Sequence, residues 1–547
     1  MFRATVKYIF ILIISVQTAL AQTDTSTYQW INSRQTWGDQ HDGTYVNPVI
    51  PADYSDIDVI RVDSFYYAIS STFQFSPGVV ILRSADLVNW KIIGHVTNDI
   101  TTVSPQLNWD KMNRYGKGVW AGAIRYHAGK FWVYFGTPDE GFFMSTANNP
   151  AGTWEPLQHF WDVQGWDDCC PFWDDDGQGY FIATHFSDHY KIHLFKMSND
   201  GRQILVGSDV VIHQSEGSEA NKLYKFNGMY YHYFSEVKPE GRVAMMERSK
   251  NIYGPYEIKQ LNHVNPIEDK EPNQGGFVQT TPENWWFFTH QGTGSWEGRA
   301  ACLLPVTWVN GWPIIGRVGA DGIGNMVWHY KKPMPASTAI TAEANDEFNK
   351  AYLLPQWEWN YQPRKDKWSL AEHKGFLRLY AFKPAKLIYA ADERKPFYRA
   401  GNTITQRSMK TLNNEVVIKI DIASMADGEV AGLCHFSATY SSIGIKQSGG
   451  KRLLVYDNNG QAQKGPAINQ TVIWLKSIWD WDGISKYYYS LDGKNFTTFG
   501  VAYQLTWGFY RGDRTGIFNY NTDHENGSIE VDWFHYSYAS ASGKLLK

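Results

Sequence analysis

Aromatic residues recur along the chain in short alternating runs, each preceded by a tight turn. Five runs share this pattern: 63–70 (DSFYYAIS), 127–136 (HAGKFWVYFG), 175–184 (DDGQGYFIAT), 226–235 (FNGMYYHYFS) and 282–291 (PENWWFFTHQ). Each has Gly, Asn or Asp at the turn, which is the chemistry of a tight β-hairpin. A second strand-like segment follows each copy, and long helical periodicity is absent. The pattern predicts an all-β chain built from hairpins.

The five hairpins follow one another at a nearly regular spacing. The spacing of roughly 50 to 65 residues is typical of the blades of a β-propeller. We therefore expect a five-bladed β-propeller over 40–335. The alternative is an irregular β-sandwich in which similar hairpins recur by chance.

The hydrophobic pattern changes after a polar, proline-containing stretch at 333–349, which we interpret as a linker. Short alternating strands follow, among them 415–422 (EVVIKIDI) and 528–538 (SIEVDWFHYSY), and turns such as 457–460 (DNNG) separate them. This pattern is typical of a β-sandwich. We expect a sandwich domain over 345–547.

The N-terminus has the features of a secretory signal peptide. Arg3 and Lys7 supply positive charge, 8–16 (YIFILIISV) is a short apolar run, and 19–21 (ALA) is a small-x-small cleavage site. We expect residues 1–21 to be removed and the mature protein to be periplasmic or secreted. No later stretch reaches the roughly 18 apolar residues of a membrane span, so we expect no membrane insertion.

Net charge bears on the possible partners of the protein, and cysteine content bears on how its fold is stabilised. The 547 residues carry a formal net charge of −4, which gives no electrostatic reason to expect nucleic acid as a partner. The aromatic content of 16% suits both a β-rich core and the stacking of rings on sugars. The four cysteines match no zinc pattern, and the adjacent Cys169 and Cys170 could bridge each other only with strain. We expect a fold that does not depend on disulfide bonds.

Two acidic clusters stand where innermost propeller strands would begin. Asp56 and Asp58 precede the first hairpin, and Glu219 leads directly into the fourth. Glycoside hydrolysis typically uses two carboxyl groups on either side of the scissile bond, and a propeller can present them together around its central channel. Turn chemistry is the alternative for the first cluster. For the second cluster, Glu216 is the better candidate for a solvated loop residue.

These clusters belong to a series of segments that resembles glycoside hydrolase family 43 over residues 46–316. The segment 47–58 (NPVIPADYSDID) is similar to the family's NPV…YPDPS segment, and 219–225 (EANKLYK) is similar to its E-G-P-x-L-Y-K segment. Shorter similar segments follow the same order: 87–90 (LVNW), 118–121 (GVWA), 274–276 (QGG) and 311–313 (GWP). The resemblance implies an inverting mechanism with Asp56 as general base and Glu219 as general acid. It also implies that the sandwich is a concanavalin-like jelly-roll, which can lend a loop to the rim of the site.

The sequence departs from the family pattern at a third acid, which in relatives modulates the pKa of the general acid and orients the sugar. Ala123 stands where many members have this Asp. Other branches place it after the following strand, where the nearest acid is Asp139. We assign the third role to Asp139 and keep Asp168 as the reserve. The proline after the base is also missing, since Ile57 stands there.

Three further residues are candidates for contacts with the sugar. Trp120 would form part of the sugar platform, with packing between blades as the alternative. Arg299 resembles an Arg that points at the bound sugar in relatives, with a surface salt bridge as the alternative. His290 ends the fifth hairpin on its inner side. Trp357, Trp359 and Trp368 lie in the expected sandwich. Three roles are open for them: polysaccharide binding, a position at the rim of the site, and plain core packing.

No cofactor is required for this chemistry, and no metal ligands are predicted. Some relatives hold a calcium ion in the central channel through a His and waters. A structural calcium ion is therefore compatible with the resemblance, although a single His among neutral neighbours does not predict one.

The leading hypothesis is an exo-acting enzyme that removes terminal α-L-arabinofuranosyl or β-xylosyl residues from plant cell-wall polysaccharide or oligosaccharides. The branch that the chain resembles favours arabinofuranosidase. One alternative is an endo-arabinanase, which needs an open cleft that the sandwich would partly close. The other is a non-catalytic carbohydrate-binding propeller, which the altered third acid suggests and the retention of Asp56 and Glu219 argues against.

Overall fold

The structure is a computed structural model that describes residues 38–264, 272–291, 295–334, 344–386 and 395–538. The expected signal peptide, 1–21, lies outside the described residues, as does 335–343 of the expected linker. The described helices are short 3-10 turns: Ile100–Thr102, Pro105–Leu107, Lys365–Lys367 and Pro396–Arg399. None of the described helices is long and apolar enough to cross a membrane.

Each of the five predicted hairpins forms the two innermost strands of one propeller blade. In blades 1 to 4, four strands pair antiparallel in chain order. Blade 1 contains Asp58–Val62, Phe65–Ser70, Gly78–Ser84 and Trp90–Thr97; blade 2 contains Gly122–His127, Lys130–Thr137, Gly141–Ala147 and Gln158–Trp161. Blade 3 contains Asp167–Trp173, Gly179–His185, Lys191–Lys196 and Val210–Gln214; blade 4 contains Glu219–Phe226, Met229–Lys238, Gly241–Ser249 and Glu257–Gln260. The prediction of a five-bladed propeller is confirmed.

Blade 5 closes the ring with a strand from the beginning of the described chain. Its three inner strands are Pro272–Thr281, Asn284–Gln291 and Ala300–Val309, and the last of these pairs with Ile50–Asp53. The Asn47 side chain secures this closure, because its amide donates to the carbonyls of Leu303 and Val327 and its Oδ1 accepts from the Leu303 amide. The closure fixes the chain just before Asp56 against the fifth blade.

The C-terminal part forms two eight-stranded antiparallel sheets. One sheet has the order Gln461–Ala467, Lys451–Asn458, Tyr440–Ser448, Glu429–Phe436, Arg514–Asn521, Asn402–Arg407, Glu358–Asn360, Phe75–Ser76. The other sheet has the order Trp368–Ser369, Leu377–Tyr380, Ser528–Ser537, Asn414–Asp421, Val472–Trp479, Ile484–Ser490, Thr497–Thr498. Its eighth strand, Tyr503–Gln504, also pairs with Ile484–Ser490. Buried and partly exposed residues alternate along Asn414–Asp421, as a strand with one face in a core requires. The predicted sandwich is confirmed.

Five short strands complete the described chain. Thr44–Val46 pairs with His329–Lys331, and Arg317–Val318 pairs with Gly324–Asn325. Trp312–Ile315 adds to the outer side of blade 5 by pairing with Ala300–Val309.

The propeller and the sandwich share a backbone sheet and a hydrophobic core. The strand Phe75–Ser76 comes from blade 1, yet it pairs with the sandwich strand Glu358–Asn360. One buried cluster contains residues of both parts, among them Trp357 and Trp359, and Trp368 packs against its edge. These tryptophans therefore serve in core packing, the third of the roles considered for them.

All four cysteines are buried, and none of them forms a disulfide bond. Burial raises the pKa of Cys169 and Cys434 well above the usual range of a thiol. The fold therefore does not depend on disulfide bonds, as the sequence predicts.

A buried ion cluster lies where blade 1 meets the sandwich. The Glu358 carboxylate is fully buried and lies 2.6 Å from Arg514, 3.0 Å from Arg407 and 3.2 Å from His95. Burial opposes the ionisation of Glu358, but the two guanidinium charges outweigh it and hold the pKa of Glu358 well below its usual range. Arg407 also donates from Nε to the carbonyl of Asp53 over 2.6 Å. The cluster thus links the sandwich to the closing strand of the ring.

The variant Glu358→Gln should be less stable than the wild type by about 3–5 kcal/mol at neutral pH, because it leaves buried guanidinium charges without their partner. Because the pKa of this carboxyl group is depressed in the folded state, its contribution to stability is fully present above the unfolded-state pKa of about 4.3. This contribution is lost as the pH falls through the folded-state pKa. The difference should therefore shrink in acid. Urea denaturation at several pH values measures it, with Glu525→Gln, an exposed partner of Arg364, as the control. A difference below about 1 kcal/mol, the range of exposed pairs, would contradict the assignment.

Candidate functional site

A cavity of about 430 Å³ opens where the innermost strands of the five blades begin. Every blade contributes to its lining at this level. The residues are Asp56 ahead of blade 1, Trp120 and Ala121 ahead of blade 2, Asp167 and Asp168 in blade 3, Glu219 in blade 4, and Asn273 and Gln274 in blade 5. Asp56 and Glu219 therefore face one cavity, which is the placement that their predicted roles require.

The backbone departs from regular strand geometry at these starting points. Asp56, Asp168 and Ala220 have φ values of 58°, 54° and 70°, in the left-handed region that few residues other than Gly, Asn and Asp adopt readily. The register also shifts between Asp167 and Cys170 and between Glu219 and Lys222. Bulges of this kind re-aim side chains and are common next to active sites. Here they turn acidic side chains towards the cavity.

The Asp56 carboxylate is buried and held at both oxygens. Ser71 donates from Oγ to Asp56 Oδ2 over 2.6 Å, and Arg299 donates from Nη1 to Asp56 Oδ1 over 2.7 Å. His290 is almost fully buried, with Nε2 lying 3.7 Å from the same Oδ1. Two donors with good geometry fix the orientation of the carboxylate. A carboxylate held in this way suits the activation of water.

Arg299 lines the cavity rather than the outer surface. Its backbone amide donates to Asp53 Oδ1 over 2.9 Å, which ties it to the closing strand. Its guanidinium group lies 5.7 Å from the centre of the Tyr510 ring and 6.0 Å from that of Trp507. Arg299 therefore forms a buried ion pair with Asp56 and not the surface salt bridge that was the alternative.

The Glu219 side chain is 30% exposed, whereas that of Asp56 is 8% exposed. Arg242 Nη1 and Asn273 Nδ2 each lie 3.3 Å from its Oε1. Arg242 is itself fixed by the carbonyl of Gly217 at 2.7 Å and by Ser235 Oγ at 3.0 Å. Glu219 is thus oriented, but it remains within reach of a molecule in the cavity.

Asp168 joins three blades at the floor of the cavity. Its Oδ2 accepts from the Ala220 amide over 2.6 Å, and its Oδ1 accepts from Gln274 Nε2. Asn221 Nδ2 donates to the Asp168 carbonyl over 2.9 Å. Burial, and then the charge of Glu219, raises the pKa of Asp168. Asp168 and Glu219 therefore interact electrostatically.

Asp139 does not line the cavity. It lies in the turn after Lys130–Thr137, the second strand of blade 2, and its carboxylate pairs with Lys117 at 2.8 Å and with Arg114 at 3.1 Å. Residues after a second strand can reach the cavity, as Phe186 and Tyr190 of blade 3 do, but Asp139 is not among the lining residues. The reserve residue, Asp168, occupies the corresponding place beside Glu219, and its position at an innermost strand was the available sequence signal.

Asp58, the neighbour of Asp56, has a structural environment. It is fully buried, and its Oδ2 accepts from the Ile124 amide over 2.9 Å and from Arg125 Nη1 over 2.6 Å. Asp58 therefore ties blade 1 to blade 2. No group of three or more His, Cys, Asp or Glu side chains within the described ranges is arranged to hold a metal ion, and calcium stays an untested expectation.

Two aromatic rings face each other on the rim of the cavity. Trp120 lies edge-on to Tyr510 with ring centres 5.8 Å apart. Tyr510 comes from the sandwich, in a turn bridged between Gly508 and Arg511, and Ser55 Oγ donates to its carbonyl over 3.3 Å. The resemblance allowed a loop of the sandwich at this rim, but no sequence motif identified Tyr510.

Sequence reasoning also missed several lining residues: Asp167, Phe186, Tyr190, Arg242, Asn273 and Gln274. Asn273 and Gln274 begin an innermost strand, so the rule that identified Asp56 and Glu219 could have found them. Phe186, Tyr190 and Arg242 lie on strand ends or turns away from the innermost strands, where sequence position gave no signal.

Comparison with known proteins gives two family matches in chain order. Residues 45–313 match the model of "Glycosyl hydrolases family 43", and residues 345–537 match that of the "Beta xylosidase C-terminal Concanavalin A-like domain". The sequence is 34% identical to a beta-xylosidase of Formosa agariphila, over 92% of this chain and 92% of that protein. It is 28% identical to a non-reducing end alpha-L-arabinofuranosidase of Bacteroides ovatus, over 76% of this chain and 77% of that protein.

A solved structure has the same arrangement of propeller and sandwich. A bifunctional GH43-CE chain of Bacteroides eggerthii superposes with a TM-score of 0.79 and 29% identity, over 90% of the present chain. The present chain spans 63% of the length of that solved chain.

Proposed function

The chain belongs to family 43 of the glycosyl hydrolases, and from this premise we propose that it is an exo-acting, inverting β-xylosidase of plant cell-wall oligosaccharides. The observation that carries the proposal is the convergence of Asp56 and Glu219 on one cavity. The choice of β-xylosyl over α-L-arabinofuranosyl follows the name of the relative that is 34% identical along nearly the whole chain.

The proposed reaction displaces the leaving oxygen from C1 of the terminal sugar by water. Glu219 donates its proton to the glycosidic oxygen as the bond from C1 to that oxygen breaks. Asp56 accepts a proton from the water that attacks C1 from the opposite face. The donors from Ser71 and Arg299 hold Asp56 in place, which reduces the reorganisation that the transition state requires.

Asp168 is the third acid in this proposal. Its hydrogen bonds to the Ala220 amide and to Gln274 fix it beside Glu219. A negative charge on Asp168 favours the proton on Glu219, since the two carboxylates repel each other when both are ionised. Asp139 does not line the cavity and pairs with Lys117 and Arg114 instead.

The aromatic rim supports exo action. Trp120 from blade 2 and Tyr510 from the sandwich stand together at the cavity, so the sandwich covers one side of it. A long polysaccharide would meet this rim if it lay across the propeller, whereas a chain end can enter the cavity. An endo-arabinanase or a non-catalytic binding propeller fits these features less well.

The second candidate function is α-L-arabinofuranosidase. The Bacteroides ovatus relative bears this name and matches over three quarters of the chain. Parallel kinetics with nitrophenyl β-xyloside and nitrophenyl α-L-arabinofuranoside decide between the two. The expected preference is for the xyloside.

We expect Glu219→Ala to lower kcat/KM for xylobiose by about 10²–10⁴-fold, the contribution of general acid catalysis. The loss should be smaller for nitrophenyl β-xyloside, whose leaving group needs little protonation. Glu216→Ala is the matched control, because Glu216 is exposed and does not line the cavity. Unchanged turnover of xylobiose by Glu219→Ala would remove Glu219 as the acid.

The two candidates for the third acid can be separated by isosteric variants. Asp168→Asn should reduce kcat by about 100-fold or more, since it removes the charge beside the general acid. Asp139→Asn should stay within about threefold of the wild type, because it alters only a partly exposed ion pair. The opposite order would restore Asp139 to the role that the sequence suggested.

Proton NMR of the reaction in progress tests both the stereochemistry and the exo mode. An inverting enzyme acting on a β-xyloside releases α-xylose first. A xylo-oligosaccharide should lose one xylose at a time from its non-reducing end. Initial release of β-xylose would contradict inversion, and early appearance of fragments from internal cleavage would contradict exo action.

A further inference from the structure

The cavity contains a carboxyl group that the proposed reaction does not use. Asp167 lines the cavity together with the three proposed catalytic acids. The two guanidinium groups of the lining are already engaged, Arg299 with Asp56 and Arg242 with Glu219. Within the described ranges, Asp167 takes part in no comparable ion pair.

Backbone geometry explains how two consecutive residues face the same space. In a regular strand, Asp167 and Asp168 would point to opposite faces of the blade. Here Asp168 is left-handed, and the pairing of this strand with Gly179–His185 shifts register between Asp167 and Cys170. The bulge therefore turns both carboxyl groups towards the cavity.

The surroundings of Asp167 favour a protonated carboxyl group. Its Oδ1 is buried and has no hydrogen-bond partner among the described residues. A Cβ atom at position 136 would collide with Oδ1, so the glycine there leaves the space that the carboxyl occupies. Burial raises the pKa of Asp167 well above its usual range, and the charges of Asp168, Asp56 and Glu219 act in the same direction.

We propose that Asp167 is a substrate-binding residue whose carboxyl O–H donates to a hydroxyl group of the bound pentose. A protonated carboxyl group has one donor and spare acceptor capacity. Because Oδ1 is buried against Gly136, the other oxygen of the carboxyl group is the one that faces the sugar. The inference rests on the proposed function, because it requires a pentose in the cavity.

Two substitutions in the full chain test this role, with kcat, KM and pH profiles on nitrophenyl β-xyloside. Asp167→Asn keeps a donor and an acceptor without charge, so kcat/KM should stay within about threefold of wild type and the pH profile should be unchanged. Asp167→Leu removes both, and kcat/KM should fall about tenfold or more. Asp162→Asn, at an exposed position of the same segment, is the control.

Two kinetic results would overturn the proposal. Unchanged kinetics of Asp167→Leu would mean that the side chain makes no contact with the sugar. A loss in Asp167→Asn as large as that in Asp167→Leu, with a shifted pH profile, would mean that Asp167 acts as a charged group. A thermal melt verifies folding, and Asp167→Ala replaces Asp167→Leu if the leucine variant does not fold.

Deoxy substrates provide a second measurement that does not depend on how well a variant folds. Nitrophenyl xylosides lacking the hydroxyl group at C2, C3 or C4 should include one whose kcat/KM is lowered about tenfold for wild type but not for Asp167→Leu. Equal losses for both proteins with every deoxy substrate would overturn the contact. Failure of the proposed function would instead appear as retained xylobiose turnover by Glu219→Ala, which is independent of Asp167.

Discussion

The pairing of Ile50–Asp53 with the third strand of blade 5 is the interaction on which the site depends. It closes the ring without a covalent bond, and it places Asp56 beside Arg299, 243 positions away along the chain. Without this pairing, Asp56 would stand at the end of an unpaired segment, and the cavity would lack one of its five walls. The Asn47 hydrogen bonds to Leu303 and Val327 therefore support catalytic geometry as well as the fold.

The sandwich contributes to the same closure from the other side. Arg407 holds the Asp53 carbonyl, and it is held in turn by Glu358. Ser55 contacts the Tyr510 turn. The segment that carries Asp56 is thus fixed by blade 5 on one side and by the sandwich on the other. The sandwich is in this sense a part of the active site rather than an appendage to it.

The sequence was most informative where local pattern and position coincide. The aromatic hairpins located all five blades, and the rule that acids at the start of innermost strands reach the channel located Asp56 and Glu219. The same rule, applied consistently, favours Asp168 over Asp139. The contribution of Tyr510 could not be read from the sequence, because it depends on how two separate folds pack. The sequence also could not show that Asp167 and Asp168 both face the cavity. The alternation of side chains along a strand predicts that they point to opposite faces, and only the bulge brings them to the same side.

Because an early strand closes the propeller ring, the order of synthesis also limits when the cavity can form. Chains grow at about 5–20 residues per second, N-terminal end first, so Asp56 is synthesised on the order of ten to fifty seconds before Arg299. Arg407, which holds the Asp53 carbonyl, lies 354 positions after Asp53 and is made later still. Contacts of such high sequence separation carry a large entropic cost of loop closure. Asp56, the proposed base, is therefore made early, but its contact with Arg299 cannot form until a residue 243 positions later has been made.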